Sequence, residues 1–136
     1  MTEQITHDCP VPTAPSGTQL PVTPKIKSNA TARYKFNVAS YQSFVQGTVV
    51  HQGSSTSRLS VVNNEAMGDL PKFTTLDLSG GTGLNNWKVE AFIQNAFDER
   101  GQLSRINQCA NIYCYENYRV YPVKPMQFGV RFGQKF

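Results

Sequence analysis

Strict alternation of apolar and polar residues is the feature that most limits how this chain can fold. From Ile26 to Phe36 every second residue is apolar or small, and the residues between are polar or basic: Lys27, Asn29, Thr31, Arg33 and Lys35. Successive side chains of a β-strand point to opposite faces, so this pattern predicts a strand with one apolar and one polar face. Four more segments alternate similarly: Tyr41–Gln52, Phe73–Gly81, Trp87–Asn95 and Met126–Phe136.

The connections between these five segments alternate in length. Residues 37–40 and 82–86 are short and turn-like, whereas residues 53–71 and 96–125 are long and largely polar. Transmembrane barrels combine short periplasmic turns with long outer loops. Aromatic residues near the short turns also fit a girdle at the membrane interface: Tyr34, Phe36, Tyr41, Trp87 and Phe136. We therefore expect an all-β fold of about five antiparallel, up-and-down strands. They would form part of a transmembrane β-barrel, incomplete in this chain because the smallest barrels need about eight strands.

Composition limits the alternatives. Only 39% of the residues are hydrophobic, and no run approaches the roughly 18 apolar residues of a transmembrane helix. The 13 basic residues give a net charge of +4 but form no cluster, so no nucleic-acid partner is predicted. Residues 1–25 contain five of the eight prolines and are predicted to be an extracellular loop segment, followed by barrel strands over residues 26–136. Residues 1–8 lack the pattern of a signal peptide, so we expect either no export or an N-terminus lost upstream.

The three cysteines allow one pair and leave one over. Cys109 and Cys114 lie close together in a tyrosine-rich segment, whereas Cys9 stands far away among prolines. In an oxidising envelope Cys109 and Cys114 are the disulfide candidate, and Cys9 is expected to have lost its partner upstream. Three free thiols are the alternative. No histidine lies nearby in sequence, so no zinc site is predicted.

No catalytic arrangement is visible in the sequence. His7 and His51 are isolated from any second acid, base or nucleophile, so the chain is predicted not to be an enzyme and to need no metal or cofactor. Asp98 and Glu99 are interpreted as solvated loop charges. The charged residues on the polar strand faces are predicted to line a water-filled lumen: Arg33, Lys35, Asp77, Lys88, Glu90 and Arg131.

Two stretches carry a family resemblance. Residues 86–100 are NWKVEAFIQNAFDER and residues 128–136 are FGVRFGQKF. Together they resemble the C-terminal end of TonB-dependent outer-membrane receptors, whose penultimate strand has a Trp and an Asn-Leu-Phe-Asp-like signature and whose last strand ends in Phe. Here the signature is Asn95-Ala96-Phe97-Asp98, with Ala in place of the commoner Leu. Leu20–Lys25 and Phe73–Leu78 are similar to the family's lead-ins to strands, so the resemblance covers about residues 17–136.

The resemblance implies a fragment of a receptor in the outer membrane of a Gram-negative cell. The full-length parent would carry out energised uptake of a scarce nutrient such as a siderophore, vitamin or glycan. Implied partners are outer-membrane lipid, the remaining strands and plug of the parent, the barrel assembly machinery, and TonB only through the missing N-terminal part. Phe132 and Phe136 would belong to the barrel-assembly signal.

The tyrosines of the last long connection are candidates for contacting a ligand: Tyr113, Tyr115, Tyr118 and Tyr121. Their alternative role is to pack that connection on itself. For the chain as a whole, the alternative is a soluble secreted β-sandwich that serves as a binding or structural module, since any half-buried antiparallel sheet alternates in this way.

Overall fold

A computed structural model describes residues 17–58, 68–107 and 118–134. Within these ranges the protein consists of strands and irregular segments, without helices. The strands are β1 (Lys27–Val38), β2 (Tyr41–Gln52), β3 (Phe73–Leu84), β4 (Trp87–Gln94), β5 (Gln102–Asn107), β6 (Tyr118–Pro122) and β7 (Gln127–Gln134). The predicted all-β class is confirmed.

The chain divides into two compact units. Among the described residues, one unit comprises 17–27, 51–58, 68–73, 100–107 and 118–123, and we call it the loop unit. The other, the sheet unit, comprises 28–50, 74–99 and 124–134.

The sheet unit is built on one five-stranded sheet in the order β1-β2-β3-β4-β7. Two hairpins begin it, and each has a two-residue turn, Ala39–Ser40 and Asn85–Asn86. Ala39 and Asn85 have positive φ angles of 52° and 51°, a conformation that reverses the chain tightly and that Asn tolerates well. The antiparallel register places Trp87 opposite Gln134 and Ile93 opposite Phe128.

The five alternating segments predicted as strands correspond to β1, β2, β3, β4 and β7. Their predicted faces are confirmed by cross-strand contacts. The Thr31 and Thr48 hydroxyl groups lie 3.0 Å apart on the polar face, and Glu90 stands opposite Arg131 on the same face. Val89 stands opposite Phe132 on the apolar face. The predicted turn over residues 82–86 is too long, because β3 pairs with β4 up to the Asn85–Asn86 turn.

The long connection predicted over residues 96–125 is wrong in part, because it contains a β-hairpin. In the loop unit β5 and β6 pair antiparallel as a two-stranded sheet, with a register irregularity between Gln102 and Ser104. These strands have six and five residues, and polar residues occur on both faces. The alternation is therefore too short and too weak to separate them from a loop.

Apolar burial occurs in the loop unit. Leu70 and Phe73 are exposed by only 1% and 7%. Leu70 exchanges two backbone hydrogen bonds with Ser55, of 3.2 and 2.7 Å. A methyl group at Gly101 would lie 2.4 Å from Phe73 Cγ, so only glycine allows this approach. Residues 17–25 contain a turn at Leu20–Thr23 and no strand.

Candidate functional site

One face of the sheet unit is apolar and open. It presents large side chains that are 38% to 79% exposed: Tyr34, Val38, Tyr41, Val45, Val49, Leu78, Trp87, Val89, Phe128, Val130 and Phe132. A contiguous patch of this kind is rare on monomeric proteins in water and marks a surface that meets another apolar phase or partner. No buried apolar side chain lies among the described residues of the sheet unit.

Aromatic side chains collect toward the end of this face where the two-residue turns lie. Tyr34 and Phe36 stack with ring centroids 5.8 Å apart near the end of β1. Tyr41 and Trp87 are the first residues of β2 and β4, directly after the turns. Trp87 is 56% exposed. Among the described residues the predicted girdle positions therefore share one end of the sheet, whereas Phe136 lies outside them.

Two hydroxyl residues on the apolar face satisfy each other. Ser43 donates to Thr82 Oγ1 across β2 and β3 at 3.0 Å. A hydroxyl group that leaves water without a hydrogen-bond partner costs about 1 to 3 kcal/mol by mutational measures. The bond gives the Ser43 hydroxyl proton a partner, which lowers the cost of taking this part of the face out of water.

The polar face contains the same three-residue arrangement twice. The guanidinium of Arg33 lies 3.8 Å from the ring centroid of Phe44, and that of Arg131 lies 4.2 Å from the ring of Phe92. Each ring also covers a glycine, because a methyl group at Gly81 would lie 2.8 Å from Phe44 and one at Gly129 would lie 2.9 Å from Phe92. The two phenylalanines that interrupt the alternation are thereby shielded by arginine above and by glycine backbone below.

A polar groove of about 150 Å³ lies beside one of these arrangements. Its polar lining comprises Gln46, Thr48, Asp77, Ser79, Glu90, Gln94 and Arg131. Arg131 Nη1 forms an ion pair with Glu90 Oε1 at 3.1 Å across β4 and β7. The polar lining suits water and hydrophilic groups. Arg33, Lys35, Asp77, Lys88, Glu90 and Arg131 all occupy polar-face positions in the strand alternation.

Asn95, directly after β4, is the buried residue of the sheet unit. It is only 4% exposed and has a φ angle of 49°. Its Nδ2 donates to Glu99 O at 3.0 Å and to Lys124 O at 2.9 Å, and its Oδ1 accepts from Glu99 N at 2.9 Å. Asn95 N donates to Asp77 Oδ1 at 2.8 Å. We call this network the Asn95 clasp.

Asp98 extends the clasp, so interpreting it as a solvated loop charge is incomplete. Its φ angle is 48°, and its Oδ1 accepts a hydrogen bond from Met126 N at 3.0 Å, one residue before β7. Sequence reasoning used Asn95–Asp98 as a family signature and Asp98 as a solvated charge, and it missed the structural roles of both ends. The available signal was the residue type, since Asn and Asp adopt left-handed backbone conformations and bond nearby backbone groups.

The candidate ligand-contacting tyrosines are only partly described. Tyr118 and Tyr121 lie on opposite faces of β6, because they are three residues apart in a strand. Arg105 lies 5.3 Å from the Tyr118 ring and donates to Gln102 Oε1 at 2.7 Å. The remaining site predictions fall outside the described residues: Tyr113, Tyr115, Cys9, Cys109, Cys114 and Phe136.

Comparison with protein-family models, curated proteins and solved structures yields no match. The resemblance carried by residues 86–100 and 128–136 therefore stays a prediction. The described residues include no group of three or more His, Cys, Asp or Glu able to hold a metal ion. They also include no helix long and apolar enough to cross a membrane.

Proposed function

We propose that the sheet unit is part of the wall of an outer-membrane β-barrel, with its apolar face toward lipid and its polar face toward an aqueous lumen. The observation that carries this proposal is the open apolar face, which includes Tyr34 and Phe132. The opposite face of the same sheet is polar and has an ion pair and a hydrophilic groove. Lipid-out and polar-in alternation is the signature of transmembrane strands.

Strand length and backbone pairing support the same proposal. β1, β2 and β3 each have twelve residues, whereas strands in water-soluble proteins average about five or six. A tilted strand needs about 9 to 11 residues to cross a bilayer, a length that β1, β2 and β3 exceed and that β4 and β7, with eight residues each, approach. Inter-strand hydrogen bonds satisfy the backbone between neighbouring strands, as hydrocarbon requires.

The parent function follows the family resemblance. We assign the chain to a receptor that takes up a scarce nutrient, such as a siderophore, vitamin or glycan, with energy supplied through TonB. This chain contributes wall strands and the loop unit, and the plug and further strands would come from the rest of the receptor. Phe132, together with Phe136, would be read by the barrel assembly machinery.

Trp87 provides a direct test, because it is the single tryptophan of the chain. The full chain is refolded into lipid vesicles whose acyl chains are brominated at a shallow or a deep position. We expect the Trp87 fluorescence to shift to the blue and to be quenched more by the shallow bromines, because interfacial aromatic residues sit at the headgroup level.

The competing candidate, a soluble β-sandwich, predicts the opposite result. Such a fold buries its apolar sheet face under a second sheet. A monomeric chain that melts cooperatively in detergent-free buffer, with Trp87 unaffected by brominated lipid, would contradict the membrane proposal.

A further inference from the structure

The polar groove of the sheet unit lies where a short side chain stands between longer ones. Ser79 belongs to β3, the middle strand of the sheet, and Phe92 of β4 stands opposite it. Gln46 of β2 and Gln94 of β4 are the long uncharged side chains of the lining. All four side chains are half-buried. The groove of about 150 Å³ is smaller than the roughly 300 Å³ at which pockets for drug-sized ligands begin, so it suits one small hydrophilic group.

The uncharged polar side chains of the groove are open to a ligand. Among the described residues, no hydrogen bond uses the side chains of Gln46, Ser79 or Gln94. A side-chain amide has two N–H donors and an acceptor oxygen, and a hydroxyl group both donates and accepts. The groove therefore presents donors and acceptors side by side. Hydroxyl groups of a ligand can meet both kinds, whereas a carboxylate only accepts and an ammonium group only donates.

The charged side chains of the groove limit the charge of the ligand. Asp77 and Glu90 are acidic, and Arg131 is basic. Arg131 Nη1 pairs with Glu90 Oε1 at 3.1 Å, so the charge of Asp77 is in excess. The backbone N–H of Asn95 holds Asp77 Oδ1 at 2.8 Å but carries no charge to balance it. An anionic ligand would be repelled here, and a half-buried groove screens this repulsion less than bulk water does.

We infer that the groove binds a neutral polyhydroxylated group, such as one sugar unit of a glycan. The neighbouring hydroxyl groups of a sugar match the open amides and the Ser79 hydroxyl group, and the absence of charge avoids repulsion by Asp77. The inference rests on the proposed function in one respect, because a nutrient meets this groove during uptake only if the polar face lines the lumen. Among the nutrients named above, it selects the glycan.

A matched set of small sugars tests the inference on the full chain in micelles of a zwitterionic detergent without a sugar headgroup. Methyl glucoside is neutral, methyl glucuronide adds a carboxylate, and glucosamine adds an ammonium group. Shifts of the side-chain amide signals in NMR titrations locate the contact and give the dissociation constants. We expect the Gln46 and Gln94 signals to respond to methyl glucoside, and we expect weaker binding of the glucuronide.

Substitutions in the groove separate the amides from the charge. Gln46→Leu and Gln94→Leu keep a side chain of similar size without the amide, and each should weaken binding of methyl glucoside by about 2- to 10-fold, the net value of one hydrogen bond. Gln42→Leu, on the polar face of β2 outside the groove, is the matched control and should leave the affinity unchanged. Asp77→Asn keeps an oxygen for the Asn95 N–H and removes the charge, so the glucuronide should bind more tightly.

The probe series on the unsubstituted chain decides the outcome even if a variant does not fold. Failure of all three probes to bind would overturn the site. Tighter binding of glucosamine than of methyl glucoside would overturn the neutral ligand, and equal binding of the glucuronide would overturn the role of Asp77. Binding of methyl glucoside without quenching of Trp87 by brominated lipid would contradict the proposed function alone. Quenching of Trp87 without sugar binding would contradict the present inference alone.

Discussion

The loop unit and the sheet unit differ in whether they bury apolar side chains. In the loop unit the apolar residues Leu70 and Phe73 are buried. Among the described residues of the sheet unit no apolar side chain is buried, and the buried residue is the polar Asn95. Water drives apolar side chains inward and hydrocarbon does not. The difference between the two units is therefore the one expected if the sheet unit faces lipid, as proposed above, and the loop unit faces water.

The largest expected loss of stability comes from removing a buried phenylalanine of the loop unit. Phe73→Ala removes a buried ring from the loop unit and should destabilise it by about 3 to 5 kcal/mol. Hydrogen exchange at the paired amides of Ser55 and Leu70 measures this loss. Phe128→Ala, at a 79% exposed position, is the matched control and should leave those amides unchanged. Equal loss of protection in both variants would remove the contrast.

The next effect compares the two faces of β2. Val45→Lys places a charge on the apolar face, and a Lys facing lipid near the bilayer midplane costs about 2 to 4 kcal/mol. Gln46→Lys places the same charge on the polar face, where it meets the groove. Denaturant unfolding from vesicles should therefore show a lowered stability for the first variant only. If both variants have the same unfolding free energy as the unsubstituted chain, lipid does not cover Val45.

The Asn95 clasp predicts a third difference. Asn95→Ala removes three side-chain hydrogen bonds, and at about 1 kcal/mol each the loss should reach about 2 to 3 kcal/mol. Asn85→Ala is the control, since Asn85 shares the positive φ angle but lies in an exposed turn. Unfolding midpoints of the two variants in micelles measure the difference. Equal unfolding midpoints in the two variants would show that the Asn95 clasp does not contribute to stability.

The smallest effect concerns the charged arrangements of the polar face. Arg131→Lys weakens both the stacking on Phe92 and the ion pair with Glu90, and at this exposure we expect about 0.5 to 1 kcal/mol. Arg33→Lys weakens only stacking on Phe44 and leaves the Glu90–Arg131 pair intact. The Arg131 effect should shrink in high salt, because salt screens exposed ion pairs. The Arg33 effect should stay constant.

Sequence alone predicted the strands of the sheet unit well. β2 was predicted at its observed bounds, Tyr41–Gln52, and the faces of β1, β4 and β7 follow the alternation. Side-chain direction in a strand depends only on parity, so a long alternating run fixes its faces without tertiary information. Phe44 breaks the alternation of β2 because it is an apolar residue at a polar-face position. The residues that cover it, Arg33 and Gly81, belong to β1 and β3, so the sequence of β2 alone does not explain it.

The rest depended on contacts distant in sequence. Asn95 meets Lys124 at a separation of 29 residues, which no local pattern encodes. The β5–β6 hairpin has short strands without a clear apolar face. The openness of the apolar face was expected from the barrel interpretation, but alternation by itself is equally compatible with a covered sheet.

The Asn95 clasp also bears on the order of events when the chain folds. β3 and β4 are neighbours in sequence, whereas more than thirty residues separate β4 from its other partner, β7. Closing so long a connection slows folding, because chain entropy is lost before the β4–β7 contacts form. Asn95 bonds Lys124 O, and Asp98 bonds Met126 N, directly before β7 begins. These two residues therefore hold the start of β7 beside the end of β4, so that the remaining β4–β7 pairs can form in sequence from that point and in the correct register.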